Sequence, residues 1–279
     1  MFKVLYKKEL SPGIFDMDIE APRVAKKAKA GQFIVLRVDD TGERVPLTIA
    51  DNDPETGAIK LIFQVMGAST MQLASKNPGE SIADFTGPLG TPSHVEPGMG
   101  TIVMVGGGIG VAPCYPIARA MHNAGNKVIG VLAAKNKDIL IFEDRMAKVC
   151  DEIVICTDDG SKGIKGFANN AVTMLHDRGE KIDQVTAIGP AIMMKSICDT
   201  TRPLGIHTVV SLNPIMVDGT GMCGGCRVQI GNETKFACVD GPEFDGHLVD
   251  FKSLMSRSRM YRDEEQVAKD HICHIGLGR

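Results

Sequence analysis

Hydrophobic and polar positions change their spacing along this chain of 279 residues. Up to about residue 97, apolar side chains fall in short β-like runs, FKVLYKKEL, IFDMDIEA, GQFIVLRV, VPLTIAD, AIKLIFQVM and ESIADFTGPLG, with turn residues between them. Short runs bounded by turn signals mark strands, and this region predicts an antiparallel β-barrel. From about 98 to 212, strand-like runs (TIVMVG, KVIGVLAA, EIVICTDD, QVTAIGP, HTVVSLN) alternate with helical segments such as APCYPIARAMHNAG, DRMAKVC, FANNAVTMLHDRG and AIMMKSICDTT. That order predicts a parallel sheet with crossover helices. Beyond 213 comes a Gly- and Cys-rich stretch, then a tail of mixed charge from Phe251 to Arg279 that reads as a helix packed on its own protein. The expected architecture is therefore multidomain α+β: a β-barrel over 1–97, an α/β parallel-sheet domain over 98–212, and a small C-terminal domain with its tail over 213–279.

The third segment carries the most specific chemistry. VDGTGMCGGCRVQIGNETKFAC spells Asp218-x4-Cys223-x2-Cys226-x11-Cys238. Plant-type [2Fe–2S] sites use Cys-x4-Cys-x2-Cys and a distant fourth Cys, so Asp218 stands in the first thiolate slot. A carboxylate keeps the unit negative charge of the thiolate it replaces. Glycines 219, 221, 224 and 225 suit a loop whose amides approach sulfur, because a Cβ would obstruct that approach. Two other readings stay open: the Cys-x2-Cys pair as a zinc half-site, without the second close pair zinc usually recruits, or simply buried thiols. Cys273, in HICHIG, is an alternative fourth ligand in place of Asp218.

Three loops follow strands of the second segment. Gly106-Gly107-Gly108-Ile109-Gly110-Val111-Ala112-Pro113 ends a strand and opens a helix, where free amides and a partial positive charge attract a pyrophosphate. The acid that an ordinary Rossmann fingerprint wants about 20 residues later is missing, since the next strand ends VLAAKNK. Thr157-Asp158-Asp159-Gly160 and Gly189-Pro190-Ala191-Ile192-Met193 fall where such sheets present strand ends to a ligand. Together they suggest a dinucleotide lying across that edge. Asp158 and Asp159 would repel a 2′-phosphate, with Lys135 and Lys162 acting the other way. In the barrel, Arg44-Val45-Pro46-Leu47-Thr48 offers a guanidinium for a pyrophosphate and a hydroxyl for a ring nitrogen. Gly67-Ala68-Ser69-Thr70 precedes the expected helix MQLASK, with Ser69 or Thr70 as its cap.

Composition narrows the field. A net charge of −3 gives no reason to expect nucleic acid or an anionic membrane as partner. Eight Cys, clustered only around 223 to 238, do not form a secreted disulfide framework, and a reducing cytoplasm suits them. The uncharged stretch from Pro97 to Ala118 holds too many Gly and Pro to span a membrane well, and the N-terminus lacks the apolar run of a signal peptide.

The order of Arg-x-Pro-Leu-Thr, GASTMQL, GPLG, GGGIGVAP, TDDGSKG, GPAIMMK and a terminal iron–sulfur segment resembles the ferredoxin reductase-like flavoproteins. It looks most like the branch of dihydroorotate dehydrogenase electron-transfer subunits. Within that branch the Asp replacement and CVDGPEFDGHLVDF resemble the small subunits of NADH-dependent reduced ferredoxin:NADP oxidoreductases. The resemblance implies FAD in the barrel, with Arg44 and the Gly67–Thr70 loop at its diphosphate, Pro46 and Leu47 beside it, and Thr48 at the isoalloxazine N5. It implies NAD(H) at Gly106, Gly107, Gly108, Gly110 and Pro113, at Asp158, Asp159 and Gly160, and at Gly189, Pro190 and Met193. It also implies a [2Fe–2S] cluster on Asp218, Cys223, Cys226 and Cys238. The partner implied is a larger FAD and [4Fe–4S] subunit in a heterodimer, which bifurcates electrons from NADPH and brings in ferredoxin. The alternatives are a dihydroorotate dehydrogenase subunit, which four Cys ligands would favour, and a redox-sensing or zinc-binding module without turnover.

Overall fold

The computed structural model describes residues 1–274, with side chains through His271. The short β-like runs form seven strands, β1 (Phe2–Ser11), β2 (Ile14–Glu20), β3 (Phe33–Arg37), β4 (Arg44–Asp53), β5 (Ala58–Gln64), β6 (Ser81–Ile82) and β7 (Asp84–Leu89), with short helices α1 (Pro22–Ala25) and α2 (Ala68–Ser75). They pair antiparallel in the order β6-β1-β2-β5-β4-β3-β7. The two end strands are consecutive in sequence with only Ala83 between them, so the sheet curls into a nearly closed barrel. On β5, Ile59, Leu61 and Phe63 point into the barrel core, while Ile62 faces the second domain. This is the period of two acting on both faces.

The second segment forms β8 (Thr101–Gly107), α3 (Val111–Asn123), β9 (Lys127–Ala134), α4 (Glu143–Met146), β10 (Glu152–Thr157), β11 (Ile164–Lys165), α5 (Ala168–Asp177), β12 (Gln184–Ile188), α6 (Ala191–Thr201) and β13 (His207–Ser211). The helix expected over DRMAKVC is a single turn, α4, after which Val149 and Cys150 pack into the core from a turn. The last segment adds the hairpin β14 (Arg227–Ile230) and β15 (Glu233–Phe236), strand β16 (Glu243–Asp245), and helices α7 (Phe251–Arg257) and α8 (Arg262–His274). The second sheet runs β11-β10-β9-β8-β12-β13-β16, parallel except for β16, which lies antiparallel to β13. Strand order reverses between β8 and β12, and such switch points open a crevice at the carboxyl ends of the strands.

The uncharged stretch from Pro97 onward becomes β8, a turn and the start of α3. No helix among the described residues is long and apolar enough to cross a membrane. The tail, read as one helix, is two: α7 buries Phe251 and Leu254, the chain turns through 258–261, and α8 runs beside α2. The side chain of Cys273 lies outside the described residues.

Candidate functional site

A cleft of about 1320 Å³ opens between the barrel and the second sheet. Its barrel wall arises from a local splaying of strands. Residues 44–48 of β4 pair with β3, and from Ile49 onward the strand pairs with β5 instead, with a register shift between Ile49 and Asp51. Val45, Pro46, Leu47 and Thr48 therefore border a gap that Ile62, Phe63 and Gln64 of β5 border from the other side. Proline suits this edge because it has no N–H for a ladder. The opposite wall is the switch point: Gly107, Gly108, Gly110 and Pro113 after β8, Asp158 after β10, and Gly189, Pro190 and Met193 after β12 all line the same cleft.

The glycines of the first loop have separate reasons. A Cβ on Gly106 would lie 2.6 Å from Val111 Cα, and one on Gly110 would lie 2.2 Å from the carbonyl oxygen of Ile188. These two let α3 start directly against the strands. Gly108 has φ +56° and nothing within 4 Å of where a Cβ would stand, so its bare backbone faces open cleft. An extended, phosphate-bearing ligand fits this cradle, with backbone approach at Gly108 and apolar walls from Pro46, Leu47, Ile109 and Met193.

Other expected residues stand apart from these. Arg44 is exposed at the start of β4, opposite Arg37, and does not line the cleft. Gly67, Ser69 and Thr70 do not line it either, although Met66, next to them in the chain, does. Helix α2 begins at Ala68, earlier than expected, so Ser69 and Thr70 fall inside its first turn. Thr70 Oγ1 accepts from the amides of Met66 and Gly67 at 2.9 and 3.1 Å. Asp159 is held below the usual carboxylate range by the hydroxyl and amide of Ser161, and Gly160 sits beside it in the same exposed turn. Lys162 is paired to Glu143 at 2.6 Å, which leaves Lys135 as the lysine beside Asp158 in the cleft lining. Lys195, also in the lining, is paired to Asp199.

The cysteine segment packs on the outer face of β3. Cys226 and Cys238 are buried with Phe33, Val35, Met216 and Ala237, and their sulfurs are 3.2 Å apart. Burial, then the adjoining Cys226 thiol, pushes Cys238 up to about 12. A thiol held as high as that of Cys238 is inert, and a cation bound by the two sulfurs would favour thiolate. Asp218 and Cys223 form the other half. The Asp218 carboxylate accepts from the amides of Thr220 and Cys223, each at 2.8 Å, and these hold it below the usual range and therefore charged. Left-handed glycines at 219, 221 and 224 turn the loop between the halves. Among the described residues no three His, Cys, Asp or Glu side chains converge on a single ion. The donors come as a buried Cys226/Cys238 pair and an exposed Asp218/Cys223 pair, an arrangement that fits a two-iron centre better than one tetrahedral zinc.

Sequence reasoning missed Phe33 and Met216, which line the cleft and also pack around the buried cysteines. A lone Phe in a strand reads as core, and nothing in its spacing distinguishes it. Phe167, largely exposed at the cleft, was likewise missed, while the equally exposed Ile192 lies in the loop already expected there.

A family model for the iron–sulfur cluster binding domain of dihydroorotate dehydrogenase B matches residues 213–250. The chain is 34% identical over 87% of its length, and over 97% of the relative's, to the dihydroorotate dehydrogenase B (NAD(+)) electron transfer subunit of Streptococcus pneumoniae serotype 4. It belongs to the family of these electron transfer subunits and their homologues. Within the family it is 46% identical, over 97% of this chain and 95% of the other, to the electron transfer subunit homolog of Thermotoga maritima. In structure it matches a chain of the NADH-dependent reduced ferredoxin-NADP oxidoreductase, a case of flavin-based electron bifurcation, with TM-score 0.93, 44% identity and 98% of both chains covered. Phthalate dioxygenase reductase shares the fold alone, at 13% identity and TM-score 0.55. The likeness to the electron transfer subunits spans the barrel, the second sheet and the cysteine segment together.

Proposed function

We propose that this chain exchanges a hydride with NAD(H) at a bound FAD and passes single electrons through a [2Fe–2S] cluster to a larger subunit. That subunit would carry FAD and [4Fe–4S] clusters and use NADPH and ferredoxin. The observation that carries the reading is the shared wall: Phe33 and Met216 border the cleft on one side and the buried cysteine pair on the other. A flavin takes electrons as a hydride pair and releases them singly, and an iron–sulfur cluster carries one at a time, so two such sites a side chain apart form a converter.

The chain's residues supply placement. Pro46 and Leu47 would offer an apolar wall to the flavin ring, and Thr48, opposite Phe33 on β3, would supply a hydroxyl to its N5. Arg44 and the Gly67–Thr70 loop, next in the chain to the lining residues Val45 and Met66, would hold its diphosphate at the edge of the cleft. Gly107, Gly108 and Gly110 with Pro113 would bring backbone to the dinucleotide, with Gly189, Pro190 and Met193 lining the cleft beside it. Asp158, Asp159 and Gly160 border the adenosine end. With Lys162 held by Glu143, the carboxylates there favour NADH over NADPH. Around Cys223, the exposed side chains of Met222, Val217 and Val239 give the cluster loop an apolar rim on which the larger subunit docks.

The purified chain is expected to hold one FAD and two iron atoms and to reduce an artificial acceptor with a higher kcat/KM for NADH than for NADPH. Stoichiometric zinc with no iron would sink the electron-transfer reading, and a preference for NADPH would reverse the cofactor assignment. The dihydroorotate dehydrogenase partnership is the second reading, supported by the Streptococcus relative. Co-purification from the native cell separates the two by which large subunit comes with the chain.

A further inference from the structure

Two arginines hold the cysteine loop by its peptide groups. The carbonyl of Gly224 accepts from the Arg227 guanidinium at 3.3 Å, and the N–H of that same peptide, on Gly225, points at Cys223 Sγ at 3.4 Å. The next peptide is held similarly: the carbonyl of Gly225 accepts from the Arg257 guanidinium at 3.0 Å, and its N–H belongs to Cys226. Arg227 is exposed and adjacent to the loop in sequence. Arg257 is half-buried and comes from α7, 32 residues away, on a helix anchored by the buried side chains of Phe251 and Leu254. In the sequence Arg257 is one charge of a mixed-charge tail helix, yet it reaches inward to the most chemically specific loop of the chain.

We propose that Arg257 is a positioning residue for the cluster, fixing the Gly225–Cys226 peptide and raising the cluster's reduction potential, with Arg227 assisting on the neighbouring peptide. The inference rests on the reading that Asp218, Cys223, Cys226 and Cys238 hold iron. Two physical effects give it direction. A donor on a carbonyl polarises the peptide and strengthens what its N–H donates; at the Gly224–Gly225 peptide, held by Arg227, that is the bond to Cys223 Sγ, and hydrogen bonding around cluster sulfurs is one of the settings of cluster potential. Reduction also adds a negative charge, which a fixed guanidinium in a partly buried site favours. The Gly-rich sequence makes the clamp necessary, because glycines at 219, 221, 224 and 225 give the loop many backbone conformations when nothing holds its carbonyls. Arg257 thus couples the C-terminal helix to the redox property of a loop it does not adjoin in sequence.

The test uses the full-length protein carrying its cluster, with iron, sulfide and FAD measured in every variant and the cluster potential read by a redox titration followed by electron paramagnetic resonance. Arg257→Met is expected to shift the midpoint to more negative potential and shorten the life of the cluster in air, with FAD content unchanged. Arg257→Lys, which keeps the charge but not the planar fork, should fall between Met and wild type. A Met variant with wild-type potential overturns the proposal, whatever its thermal stability. Should the Met variant hold no iron, Arg257→Lys decides: a retained cluster at more negative potential supports the proposal, and one at wild-type potential overturns it. Wild-type protein that binds no iron at all would instead sink the underlying reading of the cysteine loop.

Discussion

Single side chains set the chemistry of both sites, and substitutions at them separate roles that share a motif. Asp218→Ala removes the charged half of the exposed donor pair and is expected to give a labile or absent cluster with FAD retained. Asp218→Cys restores four thiolates and should keep a cluster with altered spectrum and potential, since ligand softness tunes these centres. Iron analysis and electron paramagnetic resonance on the two variants check this, and a wild-type signal in the Ala variant would remove Asp218 from the ligand set. The glycine loop allows a similar contrast. Gly108→Ala meets no atom but must adopt φ +56°, costing about 1–2 kcal/mol, and its methyl enters the cleft. The expected result is a folded protein with a raised KM for NADH. Gly110→Ala drives a methyl into the Ile188 carbonyl, which is backbone and cannot step aside, so it should lose roughly 1–3 kcal/mol of stability or more. Thermal melts and steady-state kinetics on the same pair of proteins distinguish the two.

At the scale of elements, the cleft exists because the barrel and the second sheet hold a fixed relation, and charged pairs contribute to that. Asp51 of β4 takes a two-pronged contact from Arg119 of α3, with distances of 2.7 and 3.2 Å. Buried Asp16 of β2 binds Arg145 of α4 at 3.0 Å and Lys60 of β5 at 2.9 Å. Each arginine also lies over an aromatic ring of its own domain, Arg119 on Tyr115 and Arg145 on Phe142. Between them runs a shared apolar core of Ile14, Ala50 and Ile62 with Met104, Val111 and Ile117. Asp16→Ala is expected to cost about 1–3 kcal/mol, since Lys60 keeps Asp18 as a partner while Arg145 loses its own. For a chain of this size each kcal/mol lowers Tm by about 2–4 °C, measurable by calorimetry. No change in Tm would show that the apolar contact alone fixes the two domains.

For the whole molecule, one half-buried carboxyl sits where all three segments meet. Glu243 of β16 accepts a 2.6 Å hydrogen bond from Ser93, in the link between barrel and second sheet, and lies against Gly31 just before β3. Burial pushes its pKa up, with the Ser93 bond opposing. The folded state therefore holds this proton more tightly than the unfolded chain, and stability falls as pH rises from the ordinary Glu range through the raised value. Glu243→Gln removes the ionisation and should flatten that decline: near the acid end the variant matches wild type, and above the raised pKa it is the more stable. Urea midpoints measured across pH test it, and parallel curves for the two proteins would show that Glu243 contributes nothing to the pH dependence.

The sequence by itself determined the three segments, because strand and helix periods are local and each run must bury its own apolar face. It also made the loops after β8, β10 and β12 legible as candidate ligand edges, and Asp218, Cys223, Cys226 and Cys238 as the proposed ligand set, since Gly, Pro, Asp and Cys act through backbone freedom and donor chemistry that need no distant partner. Only the tertiary structure decided what required residues far apart in the chain to meet. Phe33 joins cleft to cysteines, β16 crosses back to finish the second sheet, and α7 brings Arg257 to Gly225, contacts whose sequence separations leave no periodic trace. Arg44 shows the converse: its motif is legible, but its exposed place beside the cleft follows from where β4 changes partner, and strand register is settled by packing across the sheet.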